Sequence, residues 1–231
     1  MRTFETKYIW TYFKLIINYI PATLQILAGS LILALIIGTI AAVIRLNKVP
    51  LLSQVVRVLV SYVRGTPVIT QLFIIYFGFP QILKSVGIDV TGVPGFYFVV
   101  ITYGFNIGAA VAENLRASLA SVSEGQKEAA YAVGLNSFDT YRLVILPQAM
   151  LVAIPNFSNI FVAALKNTSL AFSVGIVEMM SHAKLLGGSS YHFLESYISV
   201  AIIYYFMYLI ISFVFRLLER YLAKFKRVVT V

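Results

Sequence analysis

Of the chain's 231 residues 60% are hydrophobic and 12% charged, against about 25% charged in an ordinary soluble domain. With a mean hydropathy of +0.87, this excludes a water-soluble globule and makes the bilayer the main solvent. The net charge of +9 suits basic cytoplasmic loops rather than a nucleic-acid partner, and zero cysteines exclude disulfides, thiolate nucleophiles and cysteine-held metal or iron–sulfur centres.

An ionised side chain at the bilayer centre costs about 2.5 to 3.5 kcal/mol even on insertion scales, so spans are sought in the gaps between charges. Residues 1–18 come first. Tyr8, Trp10, Tyr12 and Phe13 mark them as an aromatic-anchored interfacial segment. A cleaved signal peptide is the rival, disfavoured because the apolar run that follows far exceeds an h-region. Residues 15–44, 65–83, 90–112, 143–165 and 196–215 then carry no charged side chain. Each can cross about 30 Å of hydrocarbon as a helix, which needs about 20 residues. The runs lack the alternation of barrel strands, so the expected fold is an all-α membrane protein with five transmembrane helices.

Arg45, Lys48, Arg57, Arg116, Lys127, Arg142 and the basic residues of 216–227 fall on one side of such a topology. Only Arg2, Lys7, Lys14, Lys84 and Lys184 fall on the other. The positive-inside rule therefore places the C-terminus in the cytoplasm and the N-terminus outside. Residues 220–231 form a basic cytoplasmic tail beside anionic lipid.

Between the third and fourth spans the chain is polar over residues 121–141. Ser123 with Gln126 fits a capping box that starts a helix at Glu124, Gly134 suits its C-terminal turn, and Asn136 with Asp139 suits the start of a second short helix. By spacing alone this is equally a helical connector.

Its residues carry more. Ser121, Val122, Gly125, Gln126, Glu128, Ala129, Ala130 and Gly134, with the run at 144–149, resemble the E-A-A loop of ATP-binding-cassette importer permeases, in the form found in polar amino-acid uptake systems of the histidine, glutamine, arginine and cystine type. Arg64-Gly65-Thr66-Pro67 with Gln71-Leu72-Phe73, Gly108-Ala109 with Ala112-Glu113, and Leu165-Lys166 with Thr168-Ser169-Leu170 extend the resemblance over residues 23–219. It implies an importer type I transmembrane domain over residues 19–219 and a coupling helix over 124–135 that docks on a cytoplasmic ATPase. Glu128 would make the ionic contact, Ala129 and Ala130 the close approach and Gly134 the turn, with Gln126 in the same motif.

The implied partners are a second permease subunit, a copy or a paralogue, two ATPase subunits and an external solute-binding protein. The chain has no G-x-x-x-x-G-K-[S/T] loop, so it is expected not to be an enzyme: ATP and magnesium belong to the partner. The expected location is the inner membrane, multi-pass.

A path through lipid shows as polar, glycine or proline interruptions of apolar runs. Two stand out: Lys166, Asn167, Thr168 and Ser169 after Pro155, a residue expected to kink the fourth span, and Thr66 with Gln71 in the second. Glu113 is the third span's acidic candidate. Lys166 equally reads as snorkelling or pairing with Glu113. The family usually carries aspartate where this chain has Asn167 and an aromatic where it has Ala110; lacking that carboxylate, the path leans toward a neutral polar or cystine-like amino acid. Tyr191, Tyr197, Tyr204, Tyr205 and Tyr208 read as packing aromatics, Glu178 and Glu195 as facing solvent or the receptor, and His182 and His192 as no metal site. An ion-gradient-driven secondary transporter is the alternative function.

Overall fold

The computed structural model describes residues 3–229, with side chains described as far as Ala223. Helix α1 (Thr6–Ile16) passes through one 3-10 turn into α2 (Ile20–Leu46), followed by α3 (Leu52–Gly65). The second apolar run holds α4 (Val68–Phe73), a π turn at Ile74–Gly78 and α5 (Phe79–Ser85). Helix α6 (Gly95–Ala120) precedes the polar loop with α7 (Glu124–Ala132) and α8 (Ser137–Asp139). A π turn leads into α9 (Leu146–Asn167), which ends in a 3-10 stretch at Thr168–Val174; α10 (Met179–Ser190) and α11 (Phe193–Val229) complete the chain. Five stretches are long and apolar enough to cross a membrane: Thr6–Leu46, Val68–Ser85, Gly95–Ala120, Ser137–Val174 and Phe193–Ala223. The number of spans and their order agree with the charge gaps.

Helices α2 and α6 make the most extensive interface. Lipid offers apolar side chains nothing they lack in a helix pair, so association in the bilayer depends on close backbone approach. Small residues supply it: a Cβ on Gly38 would lie 2.5 Å from Val111 and 2.8 Å from the Gly108 carbonyl, and one on Gly104 2.6 Å from Leu33. Pro155 lies inside α9 without ending it.

Residues 6–16 are helical and tied to the last span. Tyr12 and Ile16 are buried, the Tyr12 hydroxyl donates to Ser190 Oγ at 2.6 Å, Ser199 Oγ donates to the Ile9 carbonyl at 2.8 Å, and the Tyr8 ring stacks on His192 at 4.0 Å. This packing overturns the expectation that Glu195 faces solvent or a receptor. It is 3% exposed, because its carboxylate accepts the Glu5 backbone N–H at 2.9 Å and lies 3.0 Å from His192 Nδ1. His182 stacks on Tyr19 at 4.1 Å, and burial pushes its pKa down. Among the described residues no group of three His, Cys, Asp or Glu could hold a metal ion.

Candidate functional site

The sequence-derived path residues fall into three separate clusters. The first repairs the break before the second span. Pro67 has no N–H, so the Val63 carbonyl loses its helical donor; the Thr66 carbonyl is freed too, because the Thr70 amide turns to Pro67. The Gln71 side-chain amide serves both, at 2.7 Å from Val63 O and 3.1 Å from Thr66 O, and lies 2.8 Å from Thr66 Oγ1. Its own oxygen accepts from Asn106 Nδ2 on α6 at 3.1 Å. Gln71 is buried and Asn106 was not singled out from sequence. The cluster crosslinks the break to the third span.

Glu113 forms the second cluster, where α2 and α6 approach the polar loop. Its carboxylate accepts from Arg45 Nη1 at 2.8 Å and from Arg116, whose Nε lies at 3.0 Å and whose second nitrogen is closer still. Lys166 is not its partner, so that reading of Lys166 is replaced: two guanidiniums one turn and one helix away already occupy the carboxylate.

The third cluster lies at the end of the fourth span. Lys166 is exposed, Asn167 and Ser169 half-buried, and Thr168 buried. Two adjoining clefts of about 310 and 420 Å³ open here, and both are lined by Lys166, Ala201 and Tyr204. Ser169 and Tyr197 line the smaller, Tyr205 and Tyr208 the larger. Four of the five tyrosines read as packing aromatics thus form walls around a lysine, and Tyr191 lines neither cleft. The Tyr204 hydroxyl reaches inward, lying 3.1 Å from Glu178 Oε2 and 3.3 Å from Thr168 Oγ1. Glu178 is fully buried, which overturns its placement toward solvent or receptor. It caps α10 by accepting the Ser181 amide at 2.7 Å, and burial pushes its pKa up to about 7. Ammonium and hydroxyl groups beside aromatic walls can hold a zwitterion's carboxylate and apolar stem.

The polar loop is helical where expected, at Glu124–Ala132. Ser123 has the N-cap backbone conformation but its side chain makes no cap bond; Gln126 instead accepts from Gln148 Nε2 at 3.2 Å, bracing α7 against the foot of α9. Gly134 takes φ +86° as the Leu135 amide bonds back to the Ala130 carbonyl at 3.1 Å, a glycine-capped helix end. Asn136 caps α8 by accepting the Asp139 amide at 2.9 Å. Glu128 and Ala129 are exposed while Ala130 faces inward. Val133 and Phe138 stand 78% and 70% exposed on this loop.

Five membrane-length helices, with polar breaks before the second and near the end of the fourth, and an exposed loop of two short helices suit a multi-pass transport component. The chain belongs to the family described as binding-protein-dependent transport system inner membrane component, whose model matches residues 34–228. It is 38% identical over 231 residues to the L-cystine transport system permease protein TcyL of Bacillus subtilis, covering 100% of this chain and 97% of that one. It is 32% identical over 217 residues to the glutamine transport system permease protein GlnP of Escherichia coli, covering 94% and 97%. Among solved structures, the crystal structure of an amino acid ABC transporter with histidines superposes with a TM-score of 0.83 at 29% identity, over 95% of this chain and 99% of that one. The fold is that of type I ABC importer permeases, and the ion-gradient alternative is not favoured.

Proposed function

We propose that the chain is the membrane-spanning permease subunit of an ATP-driven importer for a polar amino acid, with a neutral or cystine-like substrate favoured over a cationic one. Its near full-length similarity to a cystine permease supports the lean, as does Asn167, a neutral amide rather than a carboxylate next in sequence to the cleft-lining Lys166. The observation that carries the class is the loop at 121–136. Residues that a membrane protein would bury if they had no partner, Val133 and Phe138, flank an exposed carboxylate, Glu128, that has no ion pair among the described residues. An aqueous ATPase surface with a basic residue opposite Glu128 fits that pattern.

In this reading the chain pairs with a copy or a paralogue, an external solute-binding protein delivers the amino acid, and two ATPases bind ATP and magnesium in the cytoplasm. The loop moves with the ATPases as a rigid lever, and Lys166, Asn167, Thr168 and Ser169 line the path. Thr66, Gln71 and Glu113 act by holding the spans that frame it. Alternating access then needs two arrangements of these rods, biased by nucleotide.

Purification through this chain is expected to co-elute an ATPase. Cells expressing the complex should accumulate radiolabelled L-cystine, with excess cystine or glutamine competing better than arginine. Preference for arginine or lysine reverses the substrate assignment, and uptake that persists without any nucleotide-hydrolysing partner overturns the class.

A further inference from the structure

The hydrogen atoms around Tyr204 can be counted. The Thr168 hydroxyl donates its proton to the Leu165 carbonyl at 2.6 Å, so toward Tyr204 it can only accept. If Glu178 is ionised, Tyr204 spends its own proton on the carboxylate, and the 3.3 Å contact with Thr168 holds two oxygens and no hydrogen. A protonated Glu178 resolves this. Its O–H donates to the Tyr204 oxygen, Tyr204 donates to Thr168, Thr168 donates to Leu165, and every oxygen along the row has a role.

Other observations agree. Glu178 is fully buried, and among the described residues no Lys or Arg nitrogen lies within 4.0 Å of it. An unpaired carboxylate in such a place is costly, whereas a carboxylic acid is not. The titratable groups packed around it are Tyr103 from α6, whose hydroxyl is buried and unpartnered, Tyr204 from α11 and His182 one turn along α10; Lys166 lines both clefts with Tyr204.

We propose that Glu178 is a positioning residue that works as a protonated acid: its proton turns the Tyr204 hydroxyl toward Thr168, pinning the ring that walls both clefts to the end of the fourth span. Loss of the proton draws the Tyr204 hydroxyl to the carboxylate and releases that pin. Glu178 touches no substrate; it acts through Tyr204. Its consequence for transport rests on the cleft being the amino-acid path.

The chain has no cysteine, so an Ala201→Cys variant carries one thiol, in the wall common to both clefts. Its rate of modification by a maleimide, in membranes containing the full chain with its co-purifying subunits, reports how open that wall is. The informative quantity is the ratio of this rate to the rate in an Ala201→Cys, Glu178→Gln background, since glutamine mimics the neutral acid and the ratio cancels the thiol's own ionisation. The ratio is expected near one at acid pH and several-fold higher above about pH 8, where the acid form is gone. It should be flat when Tyr204→Phe is added to both members, because no hydroxyl remains to turn. A ratio constant across pH, or one still pH-dependent with Tyr204→Phe, overturns the proposal. Protection of the thiol by L-cystine or L-glutamine tests the path separately. Its absence at every pH rejects the cleft as the substrate site and leaves the Glu178 result standing.

Discussion

At the scale of single residues, buried polar groups decide more than their number suggests. Gln71 replaces two backbone donors, the N–H that Pro67 lacks and the Thr70 amide that turns to the Pro67 carbonyl, and a buried group left without its partner costs about 1 to 3 kcal/mol. Gln71→Leu keeps most of the volume but strands the Val63 and Thr66 carbonyls and the Asn106 amide. It should lower the thermal unfolding midpoint in detergent by several degrees. Thr66→Ala, which removes a hydroxyl and leaves both carbonyls served, should be close to neutral. Equal effects would mean that Gln71 is not the staple. Glu178 makes a second residue-scale prediction. Its pKa is raised from 4.5 to about 7, so the stability it contributes is fully present below the lower value and is lost as pH rises through the higher. The loss is about 3 kcal/mol across that window. Glu178→Gln removes the titrating group, so the variant's unfolding midpoint should fall less than wild type's between pH 4.5 and about 7; parallel curves would show that Glu178 does not titrate there.

At the scale of elements, the loop between the third and fourth spans works as a lever only if α7 leaves it at a fixed angle. Gly134 sets that angle with φ +86°, and a Cβ there would meet no atom within 4 Å. A β-branched side chain therefore costs backbone strain of about 1 to 3 kcal/mol without any clash. Gly134→Val is expected to insert normally and to lose most substrate-stimulated ATP turnover in the assembled complex, with Gly134→Asn, which tolerates the left-handed region, retaining most of it. Glu128→Lys should cause a comparable loss by reversing one charge. This loop was legible in the sequence because helix caps are local: Asn136 and Asp139 are three residues apart and Gly134 acts on its own turn. The five spans were legible because charge is scarce and its cost in lipid is high. What depended on distant partners was not. Ser123 and Gln126 spell a capping box, yet Gln148, 22 residues on, takes the Gln126 side chain. Asn106 has no meaning until α4 and α6 pack. Glu178 and Glu195 look like exterior carboxylates in one dimension; Glu178 becomes interior only when α6, α10 and α11 close around it, and Glu195 only when the start of α1 packs on α11.

For the whole molecule the open quantity is orientation, and the absence of native cysteine allows it to be read one residue at a time. Val86, 68% exposed, follows the second span, and Val133, 78% exposed, follows the third. One crossing separates them, so they must face opposite sides whatever the absolute direction. The excess of Lys and Arg on the Val133 side assigns that side to the cytoplasm. In intact cells a membrane-impermeant maleimide should label Val86→Cys and spare Val133→Cys until the membrane is permeabilised. Orientation and docking are then linked, because the same Val133 thiol sits on the apolar flank of the exposed loop. If an ATPase covers that flank, labelling of Val133→Cys in permeabilised cells should slow several-fold when the ATPase is co-expressed and recover when Glu128→Lys is added. Labelling of Val133→Cys from outside would invert the topology. Rates indifferent to the ATPase would leave the topology intact and remove the loop as its docking surface, so the two conclusions stand or fall by different readings of one residue.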